Sequence, residues 1–386
     1  MGLIRRFFGN ALFWPRLAQI ILSTASLAFL WQIARLTLRS RQLALVAVAG
    51  VAFYPSLVGM STWLWAESNY VFFSLGAIAF WLTGVRTRQL GHFVAAGAFF
   101  AVAALLKSIG VFTIVPWLAW YLLRGEAQSR GGMKRLLAFV ATVALCIAPW
   151  TYRNYLVFDR FVLVDMSLGR NLYYGHNAQG PVSWDYGVDR PFGRHQGGNR
   201  TRCDEIVGNE HPKDVETCEI RGAATFVLDH RLLTARRCVV KIADLLAPTS
   251  PVVKVLAADS YRNPPSATTK YAIWLVTIGA WMVAALGASF CLTLMPATPY
   301  SGFYLGMCGY YFAIHAVTVG QSRYRNTLEP LLVMLAVAGW ADARRAISQA
   351  SPGRIVLCLL VVATLLWMWS RRMHSGLAEA IRYFGA

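Results

Sequence analysis

The chain has 386 residues, 56% of them hydrophobic, with a mean hydropathy of +0.46 and a formal charge of +19. That apolar share exceeds the roughly 45–50% of soluble domains and is gathered in blocks of membrane-span length, which excludes an ordinary soluble enzyme. Nor does the charge read as a nucleic-acid footprint. Residues 151–270 hold 16 Lys/Arg against 13 Asp/Glu, and the other 21 Lys/Arg sit mostly at the ends of apolar runs, where they set orientation and touch anionic lipid.

In chain order, apolar runs occur at 17–34, 43–64, 70–85, 93–106, 109–123, 136–150, 271–295, 302–319, 328–340 and 355–369. A spanning helix needs about 20 apolar residues, so the shorter runs must tilt or pair. The expected fold is mainly α: a polytopic membrane protein with about ten transmembrane helices. A six-helix block (1–150) precedes an α-rich extracytoplasmic domain (151–270), and a four-helix block with a basic tail (271–386) follows. One set of alternate loops carries Arg35, Arg39, Arg41, Arg86, Arg88, Arg124, Arg130, Lys134, Arg135, Arg344, Arg345 and Arg354; the other carries only Lys107, Arg323 and Arg325. The first set is therefore expected in the cytoplasm and residues 151–270 outside it, in a bacterial inner (plasma) membrane. On the same count Arg5, Arg6 and Arg16 fall outside with no helix ahead of them. Either the first helix translocates its own tail or the coding region continues upstream.

The inserted domain is expected to open with an extended piece at 158–164 and a Gly/Asn-rich turn, "SLGRNLYYGHN", followed by a polar loop over 178–214. Between 215 and 246 the period becomes helical: Ile220, Ala224, Val227 and Leu228 share a face, continued by Cys238, Val239, Ile242, Leu245 and Leu246. Such helices suit either the membrane surface or packing against the loop, and Pro248 and Pro251 end them. Cys203 and Cys218 stand where a disulfide would persist; a bridge between them is one of two open states, worth roughly 3 kcal/mol if made. Cys146, Cys291, Cys308 and Cys358 lie in apolar runs and read as packing residues. Asn199-Arg200-Thr201 fits the N-glycosylation pattern, which matters only in a eukaryotic secretory route.

Ionisable groups at span ends are costly unless paired or wet. Four places stand out on the expected outer side: Glu67 in "STWLWAESNYVFF", Lys107 in "ALLKSIGVF", the pair Arg153-Asn154, and Arg323-Tyr324-Arg325. Taken singly, each is a helix-end anchor snorkelling to the interface. Taken together, they suit an anionic headgroup, since arginine grips phosphate in a fork and lysine acts as a point charge. Trp63, Trp65, Trp150, Tyr152 and Tyr324 flank them, as an interfacial belt or as a stacking surface for a sugar.

The stretches "LFWPRLAQIILSTASLAFLW", "YPSLVGMSTWLWAESNYVFFSL", "APWTYRNYLVFDRFVLVDMSLGRNLYYGHN" and "GQSRYRNTLEPLLVMLAVAGW" resemble, in order and spacing from about residue 9 to 340, the GT-C membrane glycosyltransferases. That superfamily includes the protein O-mannosyltransferases, the lipid A aminoarabinose transferases and their bacterial relatives. The resemblance implies inverting transfer of a sugar from a polyprenyl-phosphate donor to a lipid, glycan or protein acceptor of the cell envelope. It begins one helix and one acidic outer loop late, and the family's catalytic Asp lies in that loop. An upstream extension or a partner chain is expected to supply it. Lys107, Arg323 and Arg325 are the expected donor-phosphate ligands. Glu67, Asp159 and Asp165 are the candidate catalytic carboxylates, Glu67 being already engaged by cations. Arg153, Asn154 and Tyr324 contact substrate or fix the outer domain through backbone carbonyls. A divalent metal is compatible with such families, but no ligand cluster argues for one. A catalytically silent scaffold subunit and a transporter or flippase of lipid-linked sugar are the competing classes.

Overall fold

A computed structural model describes residues 12–177, 203, 212–253 and 265–384. The Asn199 sequon and most of the expected polar loop lie outside them. Among the described residues the regular structure is helical, with no strand. The chain is an integral, mainly α membrane protein. In order the helices are α1 (Phe13–Thr37), α2 (Arg41–Ala52), α3 (Pro55–Thr62), α4 (Ala66–Thr87) and α5 (Leu90–Leu106). A 3₁₀ turn (Ser108–Thr113) leads into α6 (Ile114–Leu123), and α7 (Gly132–Phe158) closes the first block. Then come α8 (Ser167–Gly175), α9 (Pro212–Asp229), α10 (Arg231–Leu245), α11 (Ala267–Leu294), α12 (Ser301–Val317), α13 (Ser322–Arg325), α14 (Glu329–Ala341), α15 (Ala343–Gln349) and α16 (Pro352–Phe384).

Helices α1, α4, α7, α11 and α16 are each long and apolar enough to cross a membrane. The apolar run at 43–64 is not one straight helix: it bends by 49° between α2 and α3. Pro55 opens α3 and denies the backbone the donor a continuous helix would need there. Helix α5, the 3₁₀ turn with α6, and α14 are shorter apolar helices. The main core cluster spans both blocks, from Leu30 and Trp81 to Trp281 and Trp369. Small residues let the helices close: a Cβ at Gly339 would stand 2.0 Å from the Gly287 carbonyl, so α11 and α14 touch backbone to backbone, as membrane helices do at small residues.

Two features differ from the expectations. Helix α7 runs through Pro149 to Phe158, so the inserted segment departs a turn or two beyond 150. The stretch "SLGRNLYYGHN" forms α8 rather than a turn. Its glycines serve close approach: a Cβ at Gly169 would meet Glu216 of α9, and one at Gly175 would meet the Thr318 carbonyl and Lys241. The helical period over 215–246 is divided at His230, whose backbone leaves the helical region between α9 and α10. Cys203 and Cys218 are disulfide-bonded, tying residue 203 to α9.

Helix α10 is stitched to the membrane block. The indoles of Trp281 and Trp369 donate to the Leu246 carbonyl, and Arg372 pairs with the fully buried Asp244. Helices α8 to α10 therefore sit on the end of the bundle where Lys107 and the 317–325 loop emerge.

Candidate functional site

At that end Glu67 lies in the first turn of α4, where the helix dipole favours a carboxylate. Only 2% of its side chain is exposed, yet it is held by two cations from distant parts of the chain. Lys107 Nζ, from the break between α5 and the 3₁₀ turn, donates to Glu67 Oε1 at 3.2 Å. Arg323 Nε, from the single turn of α13, donates to the same oxygen at 2.8 Å. Two positive charges on one carboxylate leave a net positive centre.

That centre borders a cavity of about 410 Å³. The Arg323 guanidinium lies over Trp65, 4.7 Å from the ring centroid, and Lys107 Nζ is 5.2 Å from the centroid of Tyr324. The far wall comes from the inserted segment: Asp165, Ser167 and Asn171. Asp165 Oδ1 accepts from the Ser167 backbone N–H and hydroxyl, which fixes the entry to α8. Ser167 also meets Ser108 hydroxyl to hydroxyl at 3.3 Å, bridging the inserted segment to the Lys107 turn. Behind the site, Tyr70, Tyr311 and Thr327 form a hydroxyl chain with links of 3.1 and 3.0 Å.

The structure thus brings together Glu67, Lys107, Asp165, Arg323 and Tyr324. It does not bring Arg325 to them. Arg325 is 2% exposed and turned the other way: Nε donates to Glu329 at 3.0 Å, and its remaining nitrogens donate to the carbonyls of Leu245, Ala247 and Thr249. Its guanidinium also lies 3.8 Å from the Trp281 ring centroid. This arginine clamps the end of α10 onto the bundle. Asp159 ends α7 in the left-handed region (φ 51°) and is not a cavity residue.

Asn154, 2% exposed, donates to the carbonyls of Val162 and Val164 at 3.2 and 2.9 Å. Trp150 and Thr151 donate to Val164 and Leu163. Arg153 binds the Asn154 side-chain oxygen at 3.1 Å and lies over the Trp150 ring. The Arg-Asn pair therefore folds the chain back after α7 and aims Asp165 and Ser167 at the cavity.

Sequence reasoning passed over His315, Asn171 and Ser167, all of which line the cavity. His315 had a signal: it is a titratable residue in the last turn of an apolar helix, nine residues before Tyr324. Among the described residues no group of three or more His, Cys, Asp or Glu is placed to hold a metal ion.

Residues 1–152, which include α1 to α6, Glu67 and Lys107, match the family model described as dolichyl-phosphate-mannose-protein mannosyltransferase. No curated protein and no solved structure matches the chain. The family match supports the resemblance carried by the motifs: a membrane glycosyltransferase of the GT-C type.

Proposed function

We propose that the protein transfers a sugar from a polyprenyl-phosphate carrier to a lipid, glycan or protein acceptor, at the outer face of the inner (plasma) membrane. The observation that carries this reading is the Lys107–Glu67–Arg323 centre at the edge of the cavity. Leaving-group departure builds negative charge on the carrier phosphate, and preorganised cations in a poorly hydrated site are what stabilise such charge. Glu67 keeps the two cations in place when no phosphate is bound. Arg323 spends Nε on Glu67, so its two terminal nitrogens remain a fork suited to phosphate oxygens. The Trp65 and Tyr324 rings hold the two cations at the cavity edge through their faces. Asp165, Ser167 and Asn171 supply hydroxyl-binding groups on the acceptor side.

The test is transfer of radiolabelled mannose from a polyprenyl-phosphate donor to envelope lipids, glycans and proteins, by the full-length chain in liposomes. Mannose is the first probe because the family description names it. A lost charge-assisted contact is worth about 1.5–3 kcal/mol, so Arg323→Ala should lower the rate roughly ten- to a hundredfold. Unaltered transfer by a Lys107→Ala/Arg323→Ala double variant at normal protein level would refute the assignment.

A further inference from the structure

A second cavity, of about 240 Å³, lies chiefly between α1, α2, α3 and α4, with Ile20, Leu27, Val51, Leu57, Val58 and Val71 in its wall. Among the described residues Glu67 alone lines both this cleft and the cavity of about 410 Å³. The cleft follows from the break at Pro55. The 49° bend swings α3 out of line with α2, and a neighbouring helix takes up the carbonyls at the end of α3, as broken membrane helices require. Gln19 Nε2, from α1, donates to the Met60 and Ser61 carbonyls at 3.1 and 3.2 Å, and the Ser68 hydroxyl donates to the Met60 carbonyl at 2.9 Å. These bonds close the end beside Glu67. The lining hydroxyls do not make the wall polar. Thr24, Ser26 and Ser61 donate to the carbonyls of Ile20, Ser23 and Val58 at 2.9, 2.6 and 2.7 Å, so their protons are turned to the backbone. Ile20, Thr24 and Val58 are exposed on the rim. Helix α1 is long enough to span, and α3 completes the bent α2–α3 pair, so this rim opens on lipid hydrocarbon.

Resting on the transferase reading, we infer that this cleft seats the first isoprene units of the carrier, which enter sideways from the bilayer between α1 and α3. An apolar cleft that opens on lipid and ends at a cationic centre has the shape of an amphiphile with an anionic head. Its size fits a chain: an apolar cavity of about 150 Å³ takes a six-carbon ring, so about 240 Å³ takes roughly ten carbons, or two isoprene units. The larger cavity offers the chain no such wall. Asp165, Ser167 and Asn171 line its far side, and hydrocarbon set against them would strip polar groups of their partners. A phosphate held by Lys107 and Arg323 lies beside Glu67, with the cleft next along. The donor is thereby oriented. Its chain runs into the α1–α4 cleft, its sugar turns towards the inserted segment, and the acceptor arrives from the α8 side.

The test uses the full-length chain in nanodiscs and an undecaprenyl phosphate analogue with a diazirine on its second isoprene unit. Light should attach it to residues 20–27 of α1 and 57–61 of α3, and unlabelled undecaprenyl phosphate should compete. Attachment confined to α7 or α8 would overturn the inference and leave the transferase reading standing. The Lys107→Ala/Arg323→Ala double variant should lose most of the labelling; undiminished labelling would detach the cleft from the phosphate centre and equally overturn it. Phosphatidic acid carrying the same photoreactive group should label the cleft only weakly. Equal labelling would make the cleft a seat for any lipid chain and overturn the carrier assignment. Transfer kinetics give a second measurement. Ser23→Phe and Ala52→Phe fill the cleft from α1 and α2. Each should raise the donor KM roughly tenfold with kcat within about threefold, as loss of binding shared by ground and transition states does. Leu45→Phe, on the exposed face of α2 outside the cleft, should change neither. An unchanged KM in both filled variants at normal protein level would refute the seat. If the wild-type chain transfers nothing while the analogue still labels the cleft in competition with undecaprenyl phosphate, the transferase reading falls and the carrier seat stands.

Discussion

Arg323 and Arg325 look equivalent as text, two arginines around a tyrosine at the head of a helix. The fold separates them because residues two apart on a helix turn point in nearly opposite directions. Arg323 reaches Glu67 and the cavity with 38% of its side chain exposed; Arg325 reaches Glu329 and three carbonyls with 2% exposed. Their substitutions should therefore fail differently. Removing one member of a buried ion pair strands its partner at a cost of about 3–5 kcal/mol, so Arg325→Ala should lower the unfolding temperature of the detergent-solubilised protein sharply. Arg323→Ala should leave that temperature nearly unchanged while transfer drops. Equal thermal shifts for the two would contradict this division. The sequence discloses the cations but not their direction, because which side of a one-turn helix faces a cavity depends on packing against residues 76 to 256 positions away in the chain. Glu67 was legible for the opposite reason: an acid at the first turn of an apolar helix needs a partner, and cations at comparable ends were few.

At the scale of elements, the apolar runs made the helices readable, and the turn residues misled. Gly169, Asn171 and Gly175 suggested a turn, yet they lie in α8, where the glycines admit Glu216, Thr318 and Lys241. No local signal distinguishes a glycine needed for a turn from one needed for a close neighbour. The packing of α8 on α10 carries its own pH dependence. Lys241 Nζ, His176 Nε2 and the Val317 carbonyl form a triangle with sides of 3.0, 2.8 and 3.4 Å, with no carboxylate in it. Burial first, and then the Lys241 charge, push His176 down to about 4; burial chiefly lowers Lys241 to about 8. A histidine with a depressed folded-state pKa binds fewer protons folded than unfolded between about 4 and its ordinary value near 6.5. Its contribution is complete above 6.5 and is lost as pH falls through that window. Lys241 adds the same sign at higher pH, with stability rising from about 8 towards 10.5. Backbone amide exchange in α8 and α10 should therefore accelerate as pH is lowered from about 6.5 to 4, after correction for intrinsic rates. His176→Gln should flatten that dependence; an unchanged profile in the variant would show that another group governs the docking.

For the whole molecule, the loop charges sort in space as they do along the chain. Arg39 pairs with Asp342 at 2.7 Å. Arg135 reaches the carbonyls of Arg88 and Arg130. Arg124 donates to the Pro299 carbonyl, and Arg354 to those of Thr293 and Met295. These contacts tie together loops that the positive-inside count assigns to one side. The contacts of Lys107, Arg323, Asp165 and Lys241 tie together the loops it assigns to the other. A bundle with mixed sidedness would have joined members of the two sets. Since basic short loops stay in the cytoplasm, α8 to α10 and the cavity should face away from it, on the side where the proposed donor would be met. Leu232 in α10 is 87% exposed and serves as the reporter. The free cysteines Cys146, Cys238, Cys291, Cys308 and Cys358 are first replaced by serine, which leaves the Cys203–Cys218 bridge intact. A Leu232→Cys variant should then react with a membrane-impermeant maleimide in intact spheroplasts, whereas Arg345→Cys, in α15 at the opposite end, should react only after the membrane is opened. The reverse pattern would invert the topology and put the cavity in the cytoplasm, out of reach of a donor delivered to the outer face.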